Sequence, residues 1–205
     1  MREKIEKEKQ ESIKKAIIDV AKDIVENDGF ENLSIRKIAK QVGYSPGSIY
    51  QYFSNKDHIV EMMISESYSE LIKILKKDYK KFDSVAEEIE FRYKKYIEFA
   101  LDNSNYFKII MLSENKNILS KTSVLKEGST KNKGALLFLR HFLEKGIDNS
   151  EFKINDIELV TQSFWISVYG LIMRLIIEDN IKNSQIEKLI NNHLKFLLNS
   201  IKGCE

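Results

Sequence analysis

Apolar residues recur at helical spacing along nearly the whole chain and strand-like alternation does not, which leaves an all-α fold as the expectation. Ile13, Ala16, Ile17, Val20, Ala21 and Ile24 fall at i, i+3, i+4 and i+7, and Asn27-Asp28-Gly29 stops that first helix. The regularity breaks at AKQVGYSPGSIYQYF, residues 39–53, which holds two glycines, the only proline and three tyrosines. Ser34 can cap a short helix whose apolar positions are Ile35, Ile38, Ala39 and Val42, and Gly43 stands where that helix must end in a left-handed residue. Ser45 followed by Pro46 then restarts a helix as a cap and first-turn pair, because proline there wastes no amide hydrogen. Ile49 and Phe53 give this second helix one buried stripe. Small Ala39, turn residue Gly43 and branched Ile49 have the spacing of a helix-turn-helix, in which the second helix reads DNA.

An αα-hairpin that merely packs has the same outline, so charge and polarity must separate the two. The chain carries 33 basic and 31 acidic residues, a net charge of +2, and only local clustering can serve a nucleic acid. Such a cluster is present. From residue 32 to 56 there is no acidic residue, while Arg36, Lys37, Lys40 and Lys56 are basic. Phosphate contacts need that excess because they release condensed counterions. Gly47, Ser48, Tyr50, Gln51 and Tyr52 lie off the apolar stripe, and hydroxyl and amide groups hydrogen-bond phosphates and base edges.

The segment LSIRKIAKQVGYSPGSIYQYFSNKDHIV, residues 33–60, resembles the DNA-binding segment of TetR-family transcriptional regulators. That family's pattern runs Thr/Ser, Ile-Ala, Gly-Val-Ser, Gly-x-Ile/Leu-Tyr-x-Tyr/His-Phe and Lys-Asp/Glu. Ser34, Tyr44 and Pro46 depart from its commoner residues, and Pro46 removes one possible phosphate contact. The resemblance implies a three-helix helix-turn-helix module over residues 1–56, followed by a larger helical ligand-binding and dimerisation domain over 57–205. It implies a sequence-specific regulator, homodimeric on a palindromic double-stranded operator and most simply a repressor released by a small molecule. Carried over by position, Ser34, Arg36, Ser45, Tyr50 and Lys56 would meet phosphates. Gly47, Ser48, Gln51 and Tyr52 would meet base edges, with packing as the alternative role for Tyr50 and Tyr52. Lys37 joins the candidate contacts through the basic excess.

Beyond residue 60 the likeness is architectural. Ser54/Asp57, Ser84/Glu87, Asn155/Glu158 and Ser184/Glu187 have capping-box spacing and mark helix starts. Helices are expected at about 57–79, 84–102, 131–145, 156–179 and 185–201, with a short one near 105–112 and a polar stretch at 113–130. Ahead of the first helix, Glu3/Lys7 and Glu11/Lys15 suit a solvated extension. Ser163, Ser167 and Gly170 form a small-residue stripe on which another helix could approach, inside FWISVYGLIMRLI, which is similar to the dimerisation helix of many family members. Leu194, Leu197, Leu198 and Ile201 add apolar surface for a four-helix dimer interface. Tyr93, Tyr96, Tyr106, Phe107, Phe138, Phe142, Phe164, Trp165 and Tyr169 could be core, or as a set could line a pocket for an apolar or aromatic effector. His141 would sit at its rim.

A single cysteine, Cys204, permits no internal disulfide and suits a reducing, cytosolic compartment. The charged N-terminus does not read as a signal peptide, and no unbroken run of about 18 apolar residues suggests a membrane span. His58, His141 and His193 stand far apart, and no metal, phosphate-loop or nucleophile-elbow motif occurs, so neither an enzyme nor a metal or other cofactor is expected. A helical adaptor that binds proteins through its charged first helix is the other reading; its mixed Lys and Glu argue against a membrane face.

Overall fold

The computed structural model describes residues 1–77, 81–112, 116, 119, 122–132, 134–178 and 180–202. Its helices are α1 (Arg2–Asp28), α2 (Ile35–Val42), α3 (Pro46–Ile49), α4 (Lys56–Lys76), α5 (Val85–Asp102), α6 (Ser104–Met111), α7 (Ser129–Asn132), α8 (Gly134–Asp148), α9 (Ile157–Ile177) and α10 (Asn183–Asn199), with a 3-10 turn at Phe30–Asn32. Among the described residues no strand forms; Phe152 and Lys202 make one isolated bridge. Contacts divide the chain into two units, Met1–Ser69 with Asn103–Ile118 and Glu70–Asp102 with Leu119–Glu205. A boundary at residue 56/57 therefore differs from the contact division, which keeps the start of α4 and all of α6 with the first unit.

The first unit packs α1, α2, α3, the start of α4 and α6 around one core. α1 contributes Ile17, Ile18, Ala21, Ile24 and Val25, α2 contributes Ile38 and Ala39, and Ile49, Phe53, Ile59, Met63 and Tyr106 close it. Full burial of a side chain such as Ile49 is worth about 1.5–3 kcal/mol, so this short helix is held by its anchor, not by its own four residues. Lys22 on α1 pairs with Glu66 on α4 at 3.1 Å, and Asn105 on α6 donates to the Glu26 carbonyl at 2.9 Å. The first twelve residues are exposed and, except Met1, helical; the ion pairs there are Lys4–Glu8 and Glu11–Lys14, one register away from those expected.

The second unit is built on α5, α8, α9 and α10. Ile89, Tyr93, Tyr96 and Ile97 of α5 are buried with Leu139 and Leu143 of α8, Phe164, Val168 and Ile172 of α9, and Leu194 and Leu198 of α10. Glu151 caps α5 from the α8–α9 connection: its carboxylate accepts the Val85 amide at 2.9 and 3.0 Å and the Ala86 amide at 3.2 Å. The same connection lays Phe152 on Gly146, where a Cβ would come within 2.0 Å of the ring, so α8 needs glycine at its last turn. Gln162 donates to the carbonyls of Val124 and Lys126 at 2.8 and 3.3 Å and holds the approach to α7 on α9.

Helix types match the periodicity, while several starts move. α4 is capped by Asn55, whose Oδ1 accepts the His58 amide at 2.8 Å, and not by Ser54. α9 is capped by Asp156 instead of Asn155, with both the Glu158 and Leu159 amides at 3.0 Å. Asn183 already begins α10, which has no side-chain cap. At α5 the Ser84 hydroxyl does accept the Glu87 amide, at 3.1 Å. Residue 79, residue 179, Cys204 and parts of the 113–130 stretch lie outside the described residues. α9 is long and apolar enough to cross a membrane by composition alone, contrary to the expectation of no such segment. Its Thr161, Phe164, Trp165, Val168 and Ile172 are buried in the second unit, as in the core helix of a helical bundle.

Candidate nucleic-acid interface

The turn between α2 and α3 has the geometry its residues demand. Gly43 sits at φ 78° and ψ 27°, and the Tyr44 amide donates to the Ala39 carbonyl at 2.9 Å, closing a Schellman motif over the end of α2. Ser34 Oγ accepts the Lys37 amide at 3.2 Å, and Ser45 Oγ accepts the Ser48 amide at 3.1 Å with Pro46 at the first position of α3. Past Ile49 the recognition segment continues as turns, with Gln51, Tyr52 and Phe53 amides bonded to the Ser48 and Ile49 carbonyls. Buried Ala39, Ile49 and Phe53 hold it against the first unit.

This scaffold sorts the candidate contacts. Arg36, Gly47, Tyr50 and Gln51 are exposed, with Tyr50 at 56%. Ser34 and Ser45 are exposed but act as helix caps, accepting the Lys37 and Ser48 amides. Ser45 and Ser48 hydroxyls also share a hydrogen bond of 2.9 Å. Tyr52 is half-buried against the core of the unit, which favours packing over base contact. Lys37 Nζ lies 2.7 Å from Asp28 Oδ2, so its charge is already matched. Lys56 is half-buried: its ammonium donates to the Leu33 carbonyl at 3.2 Å and sits 4.6 Å from the centre of the Phe30 ring. It pins α4 to the α1–α2 connection, a role its place in the sequence pattern did not show. Lys40 and Tyr44 are also exposed on this acid-free segment; Lys40 is legible in the sequence as part of the basic excess, Tyr44 only by its exposure.

The aromatic set is divided between the two units. Tyr106 and Phe107 belong to α6 and the first unit, where Tyr106 is part of the core. His141 is exposed on α8. In the second unit Tyr93 stacks edge-on against Tyr96 and Phe164, with centroids at 5.9 and 5.0 Å, and burial pushes the Tyr93 hydroxyl's pKa up, with Tyr96 adding to it. Trp165 lies flat on Tyr169 at 5.4 Å, and Phe138 packs on Phe142 at 4.8 Å. A groove of about 760 Å³ on this unit is lined by Leu101, Asp102, Ile186, Glu187 and Ile190 among others, and by none of the aromatics expected at a pocket.

The surface expected between copies is also redistributed. Leu194, Leu198 and Ile201 are buried within the chain's own unit and Leu197 is half-buried, because α10 turns that face onto its neighbours. Ser163 and Gly170 are exposed, and Ser167 is half-buried with its hydroxyl 3.1 Å from His193 Nε2. Along the same side of α9 run exposed Leu159, Ile166 and Ile177, and α10 adds exposed Leu189 and Phe196. Phe196 lies off the spacing of the buried Leu194, Leu198 and Ile201 and shares its side of α10 with Leu189.

A helix-turn-helix with an exposed, acid-free recognition segment, in a chain that also forms a larger helical unit, defines a DNA-binding transcriptional regulator. Residues 17–63 match the family model described as bacterial regulatory proteins of the tetR family. The fatty acid metabolism regulator protein of Bacillus subtilis (strain 168) is 25% identical over 182 residues, which cover 85% of this chain and 92% of that one. The structure of the transcriptional regulator FadR from Bacillus subtilis in complex with stearoyl-CoA superposes with a TM-score of 0.73 at 25% identity, covering 91% of this chain and 98% of that chain. RolR in complex with resorcinol has the same fold, with a TM-score of 0.63 at 16% identity over 95% of this chain and 89% of that chain. The helix-turn-helix of residues 17–63 is thus that of the TetR family of transcriptional regulators, and nearly the whole chain is similar to a regulator of fatty acid metabolism.

Proposed function

We infer that the protein is a homodimeric, cytoplasmic repressor that acts by binding and not by catalysis, and whose hold on a palindromic operator is loosened by an apolar effector of the long-chain acyl thioester class. The observation that carries the effector class is the similarity, over nearly the whole length of both chains, to a regulator described with stearoyl-CoA. Residues 1–56 would read DNA, through Arg36, Gly47, Ser48, Tyr50 and Gln51, and residues 57–205 would bind effector and second copy. The exposed apolar stripe of α9 with Leu189 and Phe196 of α10 would form the dimer contact.

The test is a pair of titrations with a duplex selected on the full-length protein from a random pool. Stearoyl-CoA is expected to lower DNA affinity by roughly 5–150-fold, a coupling of about 1–3 kcal/mol, and DNA must weaken stearoyl-CoA by the same factor. Trp165, the only tryptophan, lies on Tyr169 inside the second unit and reports binding by fluorescence. Equal affinity of stearoyl-CoA for free and DNA-bound protein would exclude it as the effector.

A further inference from the structure

Arg92 is among the most buried charged groups of the chain, at 6% exposure in the middle of α5. A guanidinium in that position is costly unless its N–H groups are matched. They are matched in two directions. Nε and Nη2 donate to Glu88 Oε1, one turn earlier, at 3.0 and 2.6 Å. Nη1 donates to the Leu75 carbonyl in the last turn of α4 and to the Lys77 carbonyl just beyond it, the latter at 2.9 Å. The rings of Phe138 and Phe142 on α8 lie 5.5 and 5.2 Å from its central carbon, and Lys145 of α8 reaches the other oxygen of Glu88 at 3.3 Å. One side chain thus bridges α4, α5 and α8.

The carbonyls it holds matter because of which helix they end. The last carbonyls of a helix have no intrahelical donor and carry the negative end of its dipole, so a cation there fixes where the helix stops. α4 begins at Lys56, next to the recognition segment, and ends at Lys76 under this guanidinium. Arginine suits the position because its planar fork serves a carboxylate on one side and carbonyls on the other; a lysine ammonium is a point donor.

We propose that Arg92 is a positioning residue for DNA binding: with Glu88 it clasps the end of α4 to α5 and α8, so that a shift of α8 is passed to α4. The clasp itself stands independently of the effector; only its use by stearoyl-CoA rests on the function inferred above.

The experiment uses full-length Arg92→Met, with Arg92→Lys as the second variant should the first fail to fold by circular dichroism. Hydrogen exchange in a peptide spanning 70–77 should rise about tenfold while peptides from α9 and α10 keep wild-type protection. Affinity for the selected duplex should change by about threefold or more, and the factor by which stearoyl-CoA alters it should fall below about twofold. Arg92→Lys keeps the charge without the fork and should still show raised exchange at 70–77. Unchanged exchange at 70–77, or an unchanged DNA affinity, overturns the clasp. If the wild-type protein ignores stearoyl-CoA, the effector class fails, and exchange and DNA affinity alone decide the clasp. A variant with loosened exchange and altered DNA affinity but full stearoyl-CoA coupling overturns the passage of an α8 shift through Arg92 to α4.

Discussion

The ammonium of Lys56 lies 3.2 Å from the carbonyl oxygen of Leu33, twenty-three residues earlier, with the Phe30 ring 4.6 Å away. A lysine at the start of α4 in this pattern resembles a phosphate contact, yet here it closes the helix-turn-helix against α4. Lys56→Met is therefore expected to lower the stability of the protein by about 1–2 kcal/mol, the worth of a hydrogen bond from a charged donor plus a cation–π contact. The melting temperature should fall while the slope of log affinity for DNA against log salt stays at its wild-type value. A slope reduced by about 0.9 with unchanged melting would place the ammonium on a phosphate instead.

Gln51 is exposed on the turn that extends α3, with its amide bonded to the Ser48 carbonyl between the buried anchors Ile49 and Phe53. Gln51→Ala should cost about 1–3 kcal/mol at one base pair of each half-site and little on random DNA, as loss of an amide contact to an adenine edge does. Equal losses on the selected duplex and on random DNA would remove Gln51 from the base-reading set.

What was legible in the sequence was local. Ser34, Gly43, Ser45 and Pro46 act on neighbours within a few residues, so their spacing alone marks α2, the turn and α3, and the structure has each in its expected role. Cap positions one residue off, as at Asn55 and Asp156, reflect adjacent residues that can all accept an amide. Long-range partners were hidden. Nothing near Tyr106 says that α6 joins the first unit, nothing near Arg92 names Leu75 as its acceptor, and Lys56 gives no sign of Leu33. Periodicity shows that α10 has an apolar face, but not that Leu194 and Leu198 spend it on their own unit and leave Phe196 outside. That choice is made by tertiary packing.

Gly170 is exposed on α9, and a Cβ built there meets no atom within 4 Å. Gly170→Leu should therefore leave the single chain folded, and its helix interior should gain slightly from replacing glycine, by about 0.5–1 kcal/mol. If a second copy approaches α9 along Leu159, Ile166 and Ile177, the same substitution should weaken the dimer. Sedimentation of the variant at dilute concentration should show more monomer than wild type. A dimer as strong as wild type would move the contact off this stripe.

His193 on α10 joins α9 through Ser167, with Nε2 3.1 Å from the hydroxyl oxygen. Burial pulls its pKa below the ordinary imidazole value near 6.5, and the hydrogen bond to Ser167 works the other way without cancelling it. The folded chain thus favours neutral His193 while the unfolded chain titrates normally. At pH above about 7 both states are neutral and the residue adds no pH dependence. As pH falls below about 6.5 the unfolded state takes up the proton first, so stability is lost progressively until the folded pKa is passed. Melting curves recorded between about pH 8 and 5.5 should show a larger acid-side loss for wild type than for His193→Gln, which keeps an amide for Ser167 and cannot titrate. Parallel curves for the two proteins would mean that imidazole protonation is not resisted by the fold, and that His193 takes its proton without leaving Ser167.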